Sequence, residues 1–498
     1  MLKQLSDQDA IFLHLETADT FAHVGGLSLV TLPDGYRGDF FEDYKAVIKN
    51  RMPQVAFLHT RLARLPLDLE PPFWVEDEHI DLDYHIRRAT VPAPGQFSDL
   101  EALVAELHAQ PLDRRRPLWQ FTVIDGFASG QRAIYIKVHH TAMDGVASQA
   151  LVATMYDPTP VPRVFPLPEA TSEHRGTARN IVRGILAHRA RQAIRAVQLV
   201  PELVTACSHL LLPDPKTLRY RPVHRVPLAP RTLFNVGITD QRSFAARTLP
   251  LPAIKQISKQ TGTKVNDVVL AICSSALRGY LDDKRALPRR SLTAMVPIAS
   301  RDPADLDSAN HNSLMLCSLA SDIVDPLERL HAIHRSCVEQ KQNYELWKDV
   351  PVPEISFPGM GAVLRRFLRW YGHSWWVGRP PVLGNLVISN IPGPPVPLYI
   401  AGARIESMYP CSVPFHGQAV NITVQSYSDR LDVGLVAGRS VVPDVAQLAD
   451  RLAPALAELQ QAIARRGAER APTPRIVKPA APRPGTTNGK SQPAAWTA

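Results

Sequence analysis

The chain has 498 residues, of which 45% are hydrophobic and 21% are charged, and its formal net charge is +9 at pH 7. Because this length exceeds what one hydrophobic core normally organises, the composition predicts a globular protein of two domains. The excess of basic residues favours anionic partners such as CoA phosphates or anionic lipid head groups. The sequence contains no zinc-finger or RNP-like motif, which argues against nucleic acid as a partner.

The cysteines and the apolar segments indicate the compartment. Five cysteines are scattered without a CxxC pair, so neither a disulfide framework nor a cysteine zinc site is predicted. The first residues lack the apolar core of a signal peptide, and no run of about 18 uninterrupted apolar residues occurs. We therefore expect a cytoplasmic protein. A peripheral position on the inner face of the membrane or on lipid inclusions stays open.

The N-terminal part alternates helical and extended sequence. Ser6 can cap an opening helix, and residues 98–109 have the apolar spacing of a second amphipathic helix. Two strands, Gln120–Asp125 and Arg132–His140, follow around a glycine-containing turn. Asp144 can then act as the N-cap of a further helix.

A connecting segment over residues 157–230 follows. It is rich in proline over 157–168, and residues 172–211 are basic and compatible with a helix. One interpretation is a linker helix with a solvated basic face. The other is an interfacial helix that contacts anionic lipid.

The second half returns to helices and strands and ends in a tail of low complexity. A helix over Leu251–Thr261 is predicted to end at Gly262, and a second helix begins at residues 265–267. Ala419–Tyr427 and Leu431–Ala437 are predicted to form a hairpin. The N-terminal domain, linker, C-terminal domain and disordered tail are therefore predicted at residues 1–156, 157–230, 231–466 and 467–498.

Two adjacent histidines, His139 and His140, stand at the end of the second predicted strand. Alternation along that strand places His139 with Tyr135 and Lys137 on one face and His140 on the other, apolar face. Burial lowers the pKa of a histidine and leaves it neutral, which is what a general base needs at pH 7. His140 is therefore the candidate base, and His139 is expected to make structural hydrogen bonds.

Asp144 and Gly145 follow the histidine pair closely. Asp144 can orient an imidazole, cap a helix or pair with an arginine, and Gly145 allows a tight turn between strand and helix. Two purely structural histidines are the plainer interpretation of the pair. A metal site is a third, but no His-rich segment nearby offers another ligand. No GxSxG elbow or activated cysteine indicates an acyl-enzyme.

The segment His139–Gly145 matches the HHxxxDG pattern of CoA-dependent acyltransferases and of peptide-synthetase condensation domains. Further segments narrow the resemblance, and they occur in order as Leu5-Ser6, His23–Gly26, Pro117–Trp119, Val265–Ala271, Met295–Pro297, Leu386–Pro394 and Asn421–Thr423. Together they resemble the bacterial wax ester synthase/diacylglycerol acyltransferase family from about residue 5 to about residue 465. A Gly-Asn element of that family departs here, because Ala309-Asn310 or His311-Asn312 lacks the glycine.

The resemblance implies a fold and a set of substrates. The fold is α/β (α+β), with two domains like chloramphenicol acetyltransferase and an interdomain tunnel. Acyl-CoA would enter the tunnel on one side and the acceptor alcohol on the other. Neither a metal nor a cofactor is implied, because acyl-CoA is itself a substrate.

The resemblance also implies roles for individual residues. His140 would take the proton from the acceptor hydroxyl, which attacks the thioester directly. Asp144 would hold the loop, with Arg301 as its expected partner. Asn266 would orient the site or stabilise an oxyanion, with a plain helix cap as the equal alternative, and Asp267 would be structural.

The expected activity is therefore that of an O-acyltransferase in lipid biosynthesis. It would move a long-chain fatty acyl group from acyl-CoA to diacylglycerol or a long-chain alcohol, giving triacylglycerol or wax ester. One alternative is condensation-like transfer from a carrier protein. The other is a lipid-surface protein without catalytic activity that uses the basic segment 172–211.

Overall fold

The computed structural model describes most of the chain. The described residues are 3–63, 72–143, 151–166, 227–299, 312–347, 360–374, 376–379 and 382–470. Most of the predicted linker and most of the predicted tail therefore lie outside the described residues, including the basic segment 172–211.

The N-terminal part contains strands and helices in alternation. They are β1 (Lys3–Gln4), α1 (Asp7–Leu15), β2 (His23–Thr31), α2 (Phe40–Arg51), α3 (Ala56–His59), β3 (Thr60–Ala63), β4 (Phe73–Glu76), α4 (Leu82–His85), β5 (Ile86–Thr90), α5 (Phe97–His108), β6 (Trp119–Asp125) and β7 (Arg132–His139). Helix α1 begins where the sequence predicts. The Ser6 hydroxyl accepts the Asp9 backbone N–H at 3.0 Å and caps the helix.

The C-terminal part is longer and builds a second sheet. Its elements are β8 (Arg242–Pro250), α6 (Leu251–Thr261), α7 (Val265–Asp283), β9 (Thr293–Ala299), β10 (Asn312–Ser318), α8 (Pro326–Trp347), α9 (Met360–His373), β11 (Leu386–Ile391), β12 (Tyr399–Ile400), β13 (Ala403–Cys411), β14 (Val420–Tyr427), β15 (Arg430–Gly438), α10 (Val445–Ala449) and α11 (Leu452–Arg470). Gly262 ends α6 with φ of 68°, the left-handed conformation that favours glycine.

The described strands form two six-stranded sheets and one of three strands. The first large sheet has the order β12-β13-β2-β7-β6-β5, and the second has the order β10-β9-β11-β14-β15-β8. The small sheet has the order β1-β4-β3. The predicted α/β (α+β) class is confirmed, as are the helices at α6 and α7 and the hairpin of β14 and β15.

One segment of the predicted C-terminal domain belongs to the sheet of the N-terminal domain. β12 and β13 come from the C-terminal half but extend the N-terminal sheet, where Cys411 pairs with Gly25 and Arg404 pairs with Thr31. β13 also passes against β15, and a Cβ at Gly434 would overlap the carbonyl oxygen of Pro410. Glycine is therefore needed where the two sheets approach each other, and residues 231–466 are not one self-contained sheet.

The first residue of the predicted linker is buried and anchored. Arg51 Nη2 donates to Asp157 Oδ2 at 2.6 Å, and both side chains are essentially inaccessible. Arg163 Nε donates to the other carboxylate oxygen at 2.9 Å, and Asp157 N–H donates to Tyr399 O at 2.7 Å. Because both charges are paired, their burial is tolerated, and the start of the linker is fixed against α2 and β12.

Candidate active site

The histidine pair lies where β7 ends in a short 3₁₀ turn. His139 is the last residue of β7, and its N–H donates to Leu118 O at 2.9 Å. His140 begins the turn, and its N–H donates to Ala22 O at 2.8 Å. The pair is thus held between the Pro117–Trp119 segment and the entrance to β2.

The histidine that alternation assigns to the apolar face, His140, is the less buried of the two. His139 has no exposed surface, whereas His140 is partly buried. The physical reason is that the strand ends at His139, so the alternation of faces no longer determines the direction of the next side chain.

His139 has one ring nitrogen in a backbone hydrogen bond. Its Nδ1 accepts the Thr141 N–H at 3.1 Å, which places a ring proton on Nε2. Nε2 lies 3.7 Å from Glu16 Oε2. The ring is therefore oriented by the turn on one side and faces a carboxylate on the other.

Glu16 links both histidines to helix α1. Arg114 Nε donates to Glu16 Oε2 at 2.6 Å, and Arg114 Nη2 donates to Leu13 O at 3.0 Å. Glu16 Oε1 accepts the Ala22 N–H at 3.4 Å, and the carbonyl of Ala22 in turn accepts the His140 N–H. Burial opposes the charge of Glu16, but the neighbouring His139 and Arg114 outweigh it and lower the pKa of Glu16 to about 2.

Sequence reasoning missed Glu16 and Arg114. The signal that could have found them is a carboxylate between the first helix and the His23 strand, and an arginine just before Pro117–Trp119. The two residues are 98 positions apart, so no local pattern connects them.

The His140 ring stacks on Phe12 of α1. The ring centroids are 3.8 Å apart and the planes differ by 14°. Burial lowers the pKa of His140 to about 4, and a backbone hydrogen bond opposes this shift only in part. The imidazole is therefore neutral at pH 7 and able to accept a proton.

Behind β7 lies a polar layer that fixes the end of α5. His23 Nε2 is 2.7 Å from His108 O, and His108 Nδ1 is 2.7 Å from the Tyr135 hydroxyl. Lys137 Nζ donates at 2.8 Å to two carbonyls at and just beyond the end of α5. Burial lowers the pKa of Lys137 to about 7, lowers that of His108 to about 3, and puts that of His23 well below its usual range.

Asn266 and Asp267 lie at the start of α7 and make different hydrogen bonds. Asp267 Oδ2 accepts the Lys264 N–H at 2.9 Å and lies 2.6 Å from His334 Nδ1, so Asp267 makes the contacts of a helix cap. Asn266 is not the cap, and its Oδ1 accepts from Asn390 Nδ2 at 3.3 Å. The helix-cap alternative for Asn266 is therefore wrong.

Three predicted site residues, Asp144, Gly145 and Arg301, lie outside the described residues. The interdomain tunnel also stays a prediction, since the loop after the histidines is among these segments. Among the residues that the structure does describe, no group of three or more His, Cys, Asp or Glu side chains is placed to hold a metal ion. None of the described helices is long and apolar enough to cross a membrane.

The two sheets, the strand that joins them and the histidine pair at the end of β7 define a two-domain acyltransferase fold. The same fold occurs in the first condensation domain of the calcium-dependent antibiotic synthetase, with a TM-score of 0.51 and 16% identity over 92% of this chain and 96% of that one. The match at this identity concerns the fold alone.

Sequence comparison identifies the family within this class. The chain belongs to the wax ester synthase/diacylglycerol acyltransferase family and is an acyltransferase. The family model of the catalytic domain matches residues 5–269, and that of the C-terminal domain matches residues 308–460.

Relatives match over nearly their full length. A Mycobacterium tuberculosis protein named as a diacylglycerol O-acyltransferase is 35% identical, over 92% of this chain and 100% of that protein. O-acyltransferase WSD of Acinetobacter baylyi is 33% identical, over 91% and 95%. The wax ester synthase/diacylglycerol acyltransferase of Marinobacter aquaeolei VT8 has a similar structure, with a TM-score of 0.68 and 31% identity over 93% of this chain and 100% of that one.

Proposed function

We propose that the chain transfers a long-chain fatty acyl group from acyl-CoA to the hydroxyl of diacylglycerol or of a long-chain alcohol. The products are triacylglycerol or wax ester and free CoA. The observation that carries this proposal is the neutral His140 ring, stacked on Phe12 at the end of β7. The names of the Acinetobacter and Mycobacterium relatives support O-acyl transfer and a diacylglycerol acceptor.

In the proposed reaction His140 is the general base. Its imidazole takes the proton from the acceptor hydroxyl while the oxygen attacks the thioester carbonyl carbon. The tetrahedral intermediate collapses by breaking the carbon–sulfur bond, and the imidazolium returns the proton to the CoA sulfur. General base catalysis of this kind contributes about 10²–10⁴-fold to a rate. No acyl-enzyme, metal or cofactor takes part in this scheme.

The surrounding residues position the base. The stack on Phe12 fixes the plane of the His140 ring, and the hydrogen bond to Ala22 fixes its backbone. Glu16 couples this arrangement to His139, which we assign a supporting role. A base held in place does not have to be reoriented during the reaction.

The remaining assignments rest on the family resemblance. Asp144 holds the loop after the histidines, with Arg301 as its expected partner, and Gly145 allows the turn. Asn266 orients the acceptor or stabilises the oxyanion, and its amide is held by Asn390 rather than used in a helix cap.

The acceptor lipids dissolve in membranes and not in water. We therefore propose that the chain acts at a lipid surface as a peripheral protein on the cytoplasmic side. Its partners are long-chain acyl-CoA and the acceptor lipid, and nucleic acid is not among them.

The test is an ester-forming assay with the purified full chain. Radiolabelled palmitoyl-CoA is supplied with dioleoylglycerol in one reaction and with hexadecanol in another, and labelled triacylglycerol or wax ester is expected. No ester with either acceptor would overturn the proposal. Activity with a carrier-bound acyl group but not with free acyl-CoA would point to condensation-like chemistry instead.

A further inference from the structure

Helix α9 presents aromatic side chains to solvent. Phe367 is 53% exposed and Trp370 is 55% exposed, and their spacing of three residues places them on one helix face. Trp376, just after the helix, is 49% exposed. Every exposed Phe or Trp in the part of the chain that the structure describes lies in this one segment. Exposed apolar groups concentrated in this way mark an interaction surface.

The opposite face of α9 packs on the protein. A Cβ at Gly372 would overlap the His416 ring, so this position is pressed against the body of the molecule. Next to it, His373 Nε2 lies 3.3 Å from Asp19 Oδ2. Trp370 is two residues from Gly372, about 200° around the helix, so it points away from the protein. The aromatic side chains therefore lie on the solvent-exposed face of a helix whose other face packs on the protein.

Helix α9 carries exposed basic residues. Arg366 and Arg369 are exposed on the same helix as the two aromatic residues. No aspartate or glutamate occurs from residue 355 to residue 405. Exposed aromatic side chains flanked by arginines match the chemistry of an anionic phospholipid surface, and the nearby Asp19 carboxylate lies beside His373.

The position of α9 relative to the candidate site fits a lipid partner. The helix packs against α1, and α1 carries the Phe12 ring that stacks on His140. One helix thus separates the exposed aromatic face from the proposed base.

We propose that α9 is an interfacial helix that docks the chain on an anionic phospholipid membrane. Phe367 and Trp370 enter the boundary between head groups and acyl chains, while Arg366 and Arg369 bind lipid phosphates. This docking rests on the proposed function, in which the acceptor is dissolved in lipid, and it brings the site next to that acceptor.

The test is co-sedimentation of the full chain with vesicles. The vesicles contain phosphatidylcholine alone or phosphatidylcholine with about one-third phosphatidylglycerol. We expect the unmodified chain to prefer the anionic vesicles, and the double variant F367S/W370S to bind them at least about tenfold more weakly, since the two rings would no longer be buried in the membrane boundary. The variant R366Q/R369Q should lose the preference for phosphatidylglycerol.

A matched control removes an exposed apolar side chain elsewhere. Val324 is 71% exposed, so V324S should bind vesicles as the unmodified chain does. Equal binding by F367S/W370S and the unmodified chain would overturn the proposal. So would failure of the unmodified chain to bind either vesicle, which would leave a protein partner as the occupant of this face.

Activity measurements separate this proposal from the proposed function. With diacylglycerol in vesicles, F367S/W370S should lose turnover in proportion to its lost binding. With the same acceptor in detergent micelles it should match the unmodified chain within about twofold, since a micelle supplies the acceptor without a membrane for α9 to dock on. Absence of ester from the unmodified chain under all conditions would contradict the acyltransfer, and the sedimentation result would still decide the docking.

Discussion

The two large sheets bury different kinds of side chain. Behind β7, the N-terminal sheet covers titratable groups that are hydrogen-bonded or face an ion-pair partner, namely His23, His108, Lys137 and His139. The C-terminal sheet is covered by α7, whose buried residues from Val268 to Leu281 are almost all apolar. The N-terminal half combines this polar layer with apolar clusters of its own, whereas the face that α7 covers from Val268 to Leu281 is almost entirely apolar.

This difference shows that the side chains that fix orientation and those that supply most of the stability are concentrated in different parts of the fold. A buried polar group must keep its hydrogen-bond partner, so it fixes orientation at a cost in free energy. Apolar packing is undirected and supplies most of the stabilisation. The proposed base, His140, lies at the end of the strand that carries the directed contacts. Changes in the N-terminal network should therefore affect turnover, and changes in the C-terminal core should affect stability.

The largest effect is expected from removing the proposed base. His140→Ala should lower kcat by about 10³-fold, because no other group would take the proton from the acceptor. Ester formation from labelled palmitoyl-CoA measures this, with thermal unfolding as the check on folding. His79, an exposed histidine, provides the control His79→Ala, which should keep full activity. Unchanged turnover in His140→Ala would show that another group is the base.

A core substitution in the C-terminal half should give the next largest effect, on stability. Leu270 is fully buried in α7, and Leu270→Ala should lower the free energy of unfolding by about 3 kcal/mol through the cavity it leaves. Urea unfolding measures the loss, and kcat of the folded variant should stay within about twofold. Leu314 is 54% exposed, so Leu314→Ala should cost less than about 0.5 kcal/mol. A large fall in kcat for Leu270→Ala would contradict the division between the halves.

The positioning role of Glu16 predicts a smaller effect on turnover. Glu16→Gln keeps the size of the side chain but removes the charge that faces His139 and Arg114, so kcat should fall by about 10–100-fold with little change in KM. Steady-state kinetics separate the two constants. Glu106 is exposed on α5, and Glu106→Gln should leave both unchanged. An increase in KM alone would assign Glu16 to substrate binding instead.

The smallest effect is the acid sensitivity of the polar layer. The pKa values of His23 and His108 are lowered in the folded chain, so below pH 6.5 the unfolded chain binds protons that the folded chain does not. Stability should therefore fall as the pH drops from 7 to 5.5, by about 1 kcal/mol per histidine. Urea unfolding at the two pH values measures this. The variant His108→Gln should show a weaker dependence, and equal stability of the unmodified chain at both pH values would contradict the buried, neutral state.

Local features of the fold could be predicted from the sequence. The end of α6 at Gly262 and the hairpin of β14 and β15 follow from neighbouring residues, because caps and turns depend on short-range contacts. The placement of β13 beside β2 could not be predicted, since it joins segments almost 400 residues apart.

The candidate site shows the same limit. The histidine pair stands out in the sequence, but the direction of His140 depends on a strand end that periodicity does not locate. Glu16 and Arg114 meet only after α1 folds against the segment before β6, so their pairing is a tertiary contact. Opposite charge alone does not identify Glu16 and Arg114 as a pair, because ion pairs on exposed surfaces are common and contribute little to stability.

The pairing of β13 with β2 has a consequence for synthesis of the chain. β2 ends at Thr31, but its neighbour on one side ends at Cys411 of 498 residues, so the ribosome must add more than four-fifths of the chain before the N-terminal sheet can be completed. Until then β2 is an edge strand with unpaired backbone groups, a condition that favours aggregation and chaperone binding. A nascent chain stopped after residue 156 therefore exposes an incomplete sheet, however well its other strands have paired.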